Sequence, residues 1–182
     1  MEPPIAIVIS GLPASGKTTV GRQVALNLGI PYLDKDDFLE RLFEQKGVGD
    51  STWRKALSRE SDALFRMDAQ RHNKVVLISH WQPRGVEGTG TPTDWIGTAY
   101  ETVVEVCCVC PPDIAARRFL ARTRHAGHLD EQRAEAEVEN WMRRLSVGYP
   151  LRLGELISVN TASGQAPELP IERLKRVISA SG

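Results

Sequence analysis

Apolar residues in this chain follow two rhythms that alternate from end to end. Residues 5–9 form an unbroken apolar run, too short for a helix and rich in β-branched side chains, which predicts a strand buried on both faces. The runs at 75–78, 100–109 and 155–159 have the same character, and 31–33 is a shorter candidate ending at Asp34. Between these runs the spacing turns helical. Val20, Val24 and Leu28 fall four apart and predict a helix opening near Gly16 and capped by Gly29. Trp53, Ala56, Leu57, Leu64 and Met67 predict an apolar stripe on a helix capped by Asp50 or Ser51. Pro111-Pro112-Asp113 opens another helix. Ala134, Val138, Trp141, Met142 and Leu145 give a further stripe, and Ile171, Leu174, Val177 and Ile178 the last. Strands alternating with helices predict one α/β domain over residues 1–182, with ligands expected beyond the carboxyl ends of the strands.

The first strand runs into Gly11-Leu12-Pro13-Ala14-Ser15-Gly16-Lys17-Thr18, which satisfies G-x-x-x-x-G-K-[ST] at every fixed position. Gly11 and Gly16 permit backbone conformations that a Cβ would forbid, and a close approach to phosphate. The amides from Ala14 to Thr18 can then converge as an anion nest, reinforced by the helix N-terminus. Lys17 is expected to reach the β- and γ-phosphates, and the Thr18 hydroxyl to supply one ligand to Mg²⁺. The stretch predicts nucleoside triphosphate binding by Gly11, Ala14, Ser15, Gly16, Lys17, Thr18 and Thr19.

An acidic cluster, Asp34-Lys35-Asp36-Asp37, follows the second strand. If the chain stays extended, Asp34 and Asp36 face one side, one toward Mg²⁺ and the other toward an acceptor hydroxyl. The competing reading is an acidic N-cap for the helical segment 38–43, which Asp37 suits best. The third strand ends in Ser79-His80-Trp81 with no Asp, so Thr18 and Asp34 must share the metal. Residues 82–98 lack periodicity and carry Pro83, Pro92 and four glycines. Such a connection is either functional or mobile. His80, Trp81 and Arg84 are the substrate candidates at this edge; Trp95 either grips substrate or tucks against the core.

Arg117, Arg118, Arg122, Arg124, His125, His128 and Arg133 then crowd together, with few acids until Asp130 and Glu131. On a helix Arg118 and Arg122 share one face, and Arg117 and Arg124 another. A charge run of this kind is either a solvated face or a lid of cations for a transferring phosphoryl group. The lid reading covers residues 117–133, with Arg122 and Arg124 at the phosphates and Gly127 as a hinge or helix break. His125 and His128 have a metal-compatible spacing but no evident third ligand. Asn160-Thr161 begins a polar turn suited to a base edge.

Composition narrows the partners. Among 182 residues, Lys plus Arg and Asp plus Glu both number 23, which gives no basic excess to suggest nucleic acid. No apolar run approaches a membrane span and no signal peptide precedes the first strand, so a cytoplasmic location is expected. Cys107 and Cys110 have C-x-x-C spacing, but no second pair completes a zinc site; with Cys108 they read as small apolar residues of a buried strand.

These motifs resemble the small P-loop kinases, among them shikimate kinase, gluconate kinase, adenylylsulfate kinase and chloramphenicol phosphotransferase. The loop continued through Thr19-Val20-Gly21-Arg22, with Leu33-Asp34-Lys35-Asp36 after it, looks like the opening of shikimate and gluconate kinases. Arg118-x-x-x-Arg122 with Gly127-His128-Leu129 is similar to the gluconate kinase lid. The resemblance implies a three-layer P-loop NTPase sandwich, with a parallel five-stranded sheet ordered 2-3-1-4-5 and an Arg-rich lid. It also implies ATP and Mg²⁺ as cofactors, Arg118, Asn160 and Thr161 near adenine, and Arg122 or Arg124 at the phosphates. Two departures stand out. Ser79-His80-Trp81 replaces the glycine triplet of shikimate kinase, and 82–98 lacks the helical pattern gluconate kinase carries there. The expected activity is phosphoryl transfer to a hydroxyl of a small polar metabolite or antibiotic, with Lys17, Asp36, Arg122 and Arg124 catalytic. The alternatives are a nucleoside monophosphate or polynucleotide 5′ kinase using Arg41, Arg54 and Arg84, and a non-kinase ATP-binding switch.

Overall fold

The computed structural model describes residues 3–130 and 134–180. Strands β1 (Ile5–Gly11), β2 (Tyr32–Asp34), β3 (Lys74–Ile78), β4 (Thr102–Val109) and β5 (Glu155–Asn160) form one parallel sheet. Its order is β2-β3-β1-β4-β5, so the central β1 carries the phosphate loop at its carboxyl end. Around it lie α1 (Lys17–Leu28), α2 (Lys35–Lys46), α3 (Ser51–Ala69), α4 (Ile96–Ala99), α5 (Pro112–Ala121), α6 (Glu135–Ser146) and α7 (Ile171–Ala180).

Every residue of β1 is buried because both faces of the sheet are covered. Its side chains alternate between layers, as a period of two demands. Ile7 and Ile9 pack with Val20 and Val24 of α1 and Leu174 of α7, whereas Ala6 and Val8 pack with Phe38, Phe65 and Ala69 of α2 and α3. A further cluster joins Leu12 to Phe119 of α5 and Met142 and Leu145 of α6. Cys107, Cys108 and Cys110 are free and buried, as small core residues. Among the described residues no helix is long and apolar enough to cross a membrane.

Several local expectations need correction. The buried stripe of α3 is Leu57, Ser61, Phe65 and Ala69, a strict four-residue step, while Ala56 and Met67 face outward. The chain does not stay extended past Asp34. Asp34 itself is the N-cap of α2, accepting from the Asp36 amide at 3.1 Å, and Asp36 and Asp37 lie in the first helical turn. Helix α5 stops at Ala121, so the arginines beyond it are not on a helix face. Residues 122–130 instead cross to α2 through a 3₁₀ turn at Ala126–His128. Glu131 and Arg133 lie outside the described residues.

Two features of the far side position the site. The 82–98 connection folds back on the end of β3: Thr91 N donates to His80 O at 2.7 Å, and Gln82 N to Thr91 O at 2.9 Å. Trp95 is buried within the second sheet layer, so it is a core residue and not a substrate grip. Glu105 is fully buried in β4. It accepts from Ser10 Oγ at 2.5 Å, from Leu151 N at 2.7 Å and from Arg152 N at 2.7 Å, tying the residue before the phosphate loop to the α6–β5 connection.

Candidate active site

The loop between β1 and α1 has the backbone its glycines permit. Gly11 (φ 130°) and Gly16 (φ 94°) lie in the left-handed region, and a Cβ on Gly11 would fall 2.6 Å from Cys108 O. No side chain caps α1, so the amides of its first turn remain for an anion. Lys17 Nζ donates to Gly11 O at 3.1 Å and Leu12 O at 2.7 Å, folding over the loop. Burial pulls its pKa down to about 8, partly countered by Cys108, Asp36 and Asp34. Thr19 is exposed on α1, and Ser15 is buried with its Oγ unpartnered among the described residues.

Thr18 Oγ1 donates to Asp34 Oδ2 at 2.8 Å. Hydroxyl and carboxylate oxygens converging beside the phosphate loop suit a hard cation such as Mg²⁺. Burial first, then the neighbouring Asp36, pushes Asp34 up to about 6. A divalent cation would stabilise its charged form. No cluster of three or more His, Cys, Asp or Glu that could hold a metal occurs among the described residues, and His125 and His128 are engaged with Phe43 and Glu40.

Across the crevice, the Asp36 side chain is about 45% exposed and pairs with Arg124 Nη1 at 2.8 Å. Burial pushes its carboxyl up, but Arg124, His128 and Lys35 outweigh that and hold it below the usual range. Lys35 is buried against Ser58 Oγ (2.8 Å) and Asp62 (3.4 Å). The 122–130 segment docks on α2 and α3. Phe43 is stacked by Trp53 at 5.5 Å and His125 at 5.2 Å, with His128 edge-on at 5.3 Å. His128 Nε2 meets Glu40 Oε1 at 2.9 Å, and Arg54 Nε donates to His128 O at 3.2 Å. Gly127 is there for closeness, since a Cβ would lie 2.5 Å from the Phe43 ring.

On the far side of the loop, Arg118 donates to Thr161 O at 2.7 Å, Ala162 O at 3.0 Å and Ser163 O at 3.1 Å. Its guanidinium is therefore committed to the turn after β5, and any effect on a base runs through that turn. A Cβ on Gly16 would touch Thr161 at 3.9 Å, so the turn adjoins the phosphate loop. Asn160 is exposed, its Oδ1 accepting from Ala162 N at 2.9 Å.

The β3 end behaves differently from its sequence reading. Trp81 is fully buried, with Nε1 donating to Ile9 O at 2.8 Å, so it belongs to the core and not to a substrate pocket. Arg84 is exposed, and its Nε donates to Pro150 O at 2.9 Å, bracing the α6–β5 connection. His80 stays with the site. Its Nε2 meets Thr89 Oγ1 at 3.2 Å, its Nδ1 is buried without a partner among the described residues, and Lys17 and Asp36 both act on it electrostatically. Burial, with Lys17 second, drops its pKa to about 3. Folding therefore keeps His80 neutral, while the unfolded chain protonates it below about pH 6.5. The stability held above that pH should fade as pH falls toward 3. Thermal unfolding at pH 7.5 and 5.0 checks this: wild type should lose more stability on acidification than His80→Gln. Equal losses would show that His80 titrates freely in the folded chain.

Three site features escaped the sequence: Glu105, Lys35 and Asp130, the last of which joins both Arg122 and Arg124. Glu105 alone had a signal, a lone carboxylate inside the apolar run 103–109.

Against known proteins, residues 7–147 match the AAA_33 family model, described as an AAA domain. The chain belongs to the AAA_33 family of P-loop kinases. The kinase is 27% identical over 182 residues to the cytidylate kinase of Ignicoccus hospitalis, covering 94% of this chain and 98% of that one. It is 42% identical over 88 residues to the shikimate kinase of Paracidovorax citrulli, covering 48% of this chain and 44% of the relative. A solved structure of a candidate kinase from Chloroflexus aurantiacus superposes over 100% of both chains with a TM-score of 0.81 at 23% identity, a likeness of fold.

Proposed function

We propose that this kinase transfers the γ-phosphate of ATP, with Mg²⁺, to a hydroxyl of a small polar metabolite. The observation that supports the reading is the 2.8 Å pair between Asp36 and Arg124, with Asp36 near enough to Lys17 of the phosphate loop to act on its charge. In this reading the loop amides and Lys17 bind the triphosphate, and the Thr161–Ser163 turn held by Arg118 flanks the base. Thr18 and Asp34 would hold Mg²⁺, which would supply positive charge against that of the phosphates. Asp36 accepts the acceptor's proton as its oxygen bonds to the γ-phosphorus. The bond from that phosphorus to the β,γ-bridging oxygen breaks, and ADP leaves with the electron pair. Arg122 and Arg124 neutralise the charge carried by the transferring group.

A second reading is supported by the match to a cytidylate kinase along nearly its whole length. There the acceptor oxygen belongs to a nucleoside monophosphate. One assay separates the two. ADP formation from Mg²⁺-ATP is followed across sugars, sugar acids, nucleosides and nucleoside monophosphates. Stimulation by a hydroxyl compound, and not by monophosphates, is expected. Stimulation by CMP alone would transfer the assignment to the second reading, and stimulation by none would sink both.

A further inference from the structure

Arg122 and Arg124 lie beyond the end of α5, where no helix sets their direction, yet both converge on one carboxylate. Asp130 Oδ2 accepts from Arg122 Nε at 3.2 Å and from Arg124 Nε at 2.8 Å, and Asp130 Oδ1 accepts from Arg124 Nη2 at 2.9 Å. The contact with Arg124 is bidentate, a geometry that fixes the plane of the guanidinium as well as its distance. Arg124 is thereby stretched between two carboxylates, Asp130 behind it and Asp36 at the crevice. Arg122 rests over the Phe119 ring, 4.1 Å from its centre. Two guanidinium groups so placed repel each other. Burial and the neighbouring Arg124 pull Arg122 down to about 10. Asp130, only 16% exposed, is the carboxylate that offsets them.

We propose that Asp130 is a positioning residue: it clamps Arg122 and Arg124 side by side, aimed at the transferring phosphoryl group. This rests on the assignment of those arginines as phosphoryl-neutralising cations. Without the carboxylate, like-charge repulsion and rotamer freedom separate the two side chains. The cost of reassembling them then falls on the transition state, where the cations must already be in place. Ground-state ATP binding rests on the loop amides and Lys17 and is little affected.

Steady-state turnover of Asp130→Asn and Asp130→Glu tests this, with the fastest acceptor, or with water where no acceptor outpaces it. Asp130→Asn should lose about 10- to 100-fold in kcat, with KM for ATP within about threefold of wild type. Asp130→Glu, which keeps the charge, should recover much of that loss. In an Arg122→Ala/Arg124→Ala background, adding Asp130→Asn should cost less than about twofold, because the clamp has nothing left to hold. If Asp130→Asn does not fold, Asp130→Glu carries the test through a kcat loss at unchanged KM. Wild-type kcat in the folded variant, or losses in kcat and KM that move together and are the same for Asn and Glu, would overturn the inference. Arg124→Ala at wild-type turnover would instead remove the assignment beneath it.

Discussion

Asp36→Asn is expected to lower turnover by about 10²- to 10⁴-fold while ATP still binds. Asn has the same shape, so it sits in the first turn of α2 without disturbing the cap made by Asp34. What it loses is charge. Arg124 no longer has an anion at the crevice, and the acceptor's proton has no carboxylate to receive it. Arg124 and its neighbouring cations hold the Asp36 carboxyl below the usual range, so it is charged at neutral pH. Nucleotide titration and steady-state kinetics on one preparation check the result. Full turnover in the Asn variant would end the proposed role. A loss of ATP affinity equal to the loss of turnover would instead make Asp36 part of donor binding.

The largest stability effect is expected at Glu105, buried behind the phosphate loop. Its carboxylate takes the Ser10 hydroxyl and the amides of Leu151 and Arg152, all without access to water at the carboxylate itself. Glu105→Ala strands these donors and leaves a cavity. Orphaned buried donors cost about 1–3 kcal/mol each, so losing this set costs about 3–5 kcal/mol in total. For a chain of this length that corresponds to a fall in Tm of roughly 6–20 °C. Glu105→Gln keeps one acceptor oxygen and should fall between the two. Because Ser10 immediately precedes Gly11, Glu105→Gln should also weaken ATP binding. A melting temperature within about 2 °C of wild type for Glu105→Ala would mean that other groups hold the α6–β5 connection.

The sheet and the phosphate loop were legible because their signals are local. A β-branched run predicts a buried strand, and G-x-x-x-x-G-K-[ST] fixes the turn that follows β1. The errors share a cause as well. Trp81 follows a strand end where ligands gather, but nothing nearby in sequence reveals that Ile9 O takes up its indole N–H. The arginine run looked helical by spacing, yet α5 ends at Ala121 because the chain turns toward Phe43, a partner far off along the chain. Asp130 was legible only as an acid that ends the basic run, since no periodicity links it to Arg122 or Arg124.

The docking of residues 122–130 has one more consequence. Phe43, Glu40 and Arg54 hold that segment from α2 and α3, and Asp36 holds it from the first turn of α2. Any excursion of these arginines must therefore either peel a stacked histidine and a buried imidazole off their partners or drag the whole α2–α3 hairpin along. The second route keeps the contacts of residues 122–130 with α2 and α3 intact, at the cost of those that Phe38, Phe65 and Ala69 make with Ala6 and Val8. The arginines are thus tied to α2 and α3 as parts of one jaw, and not as a flap that swings by itself.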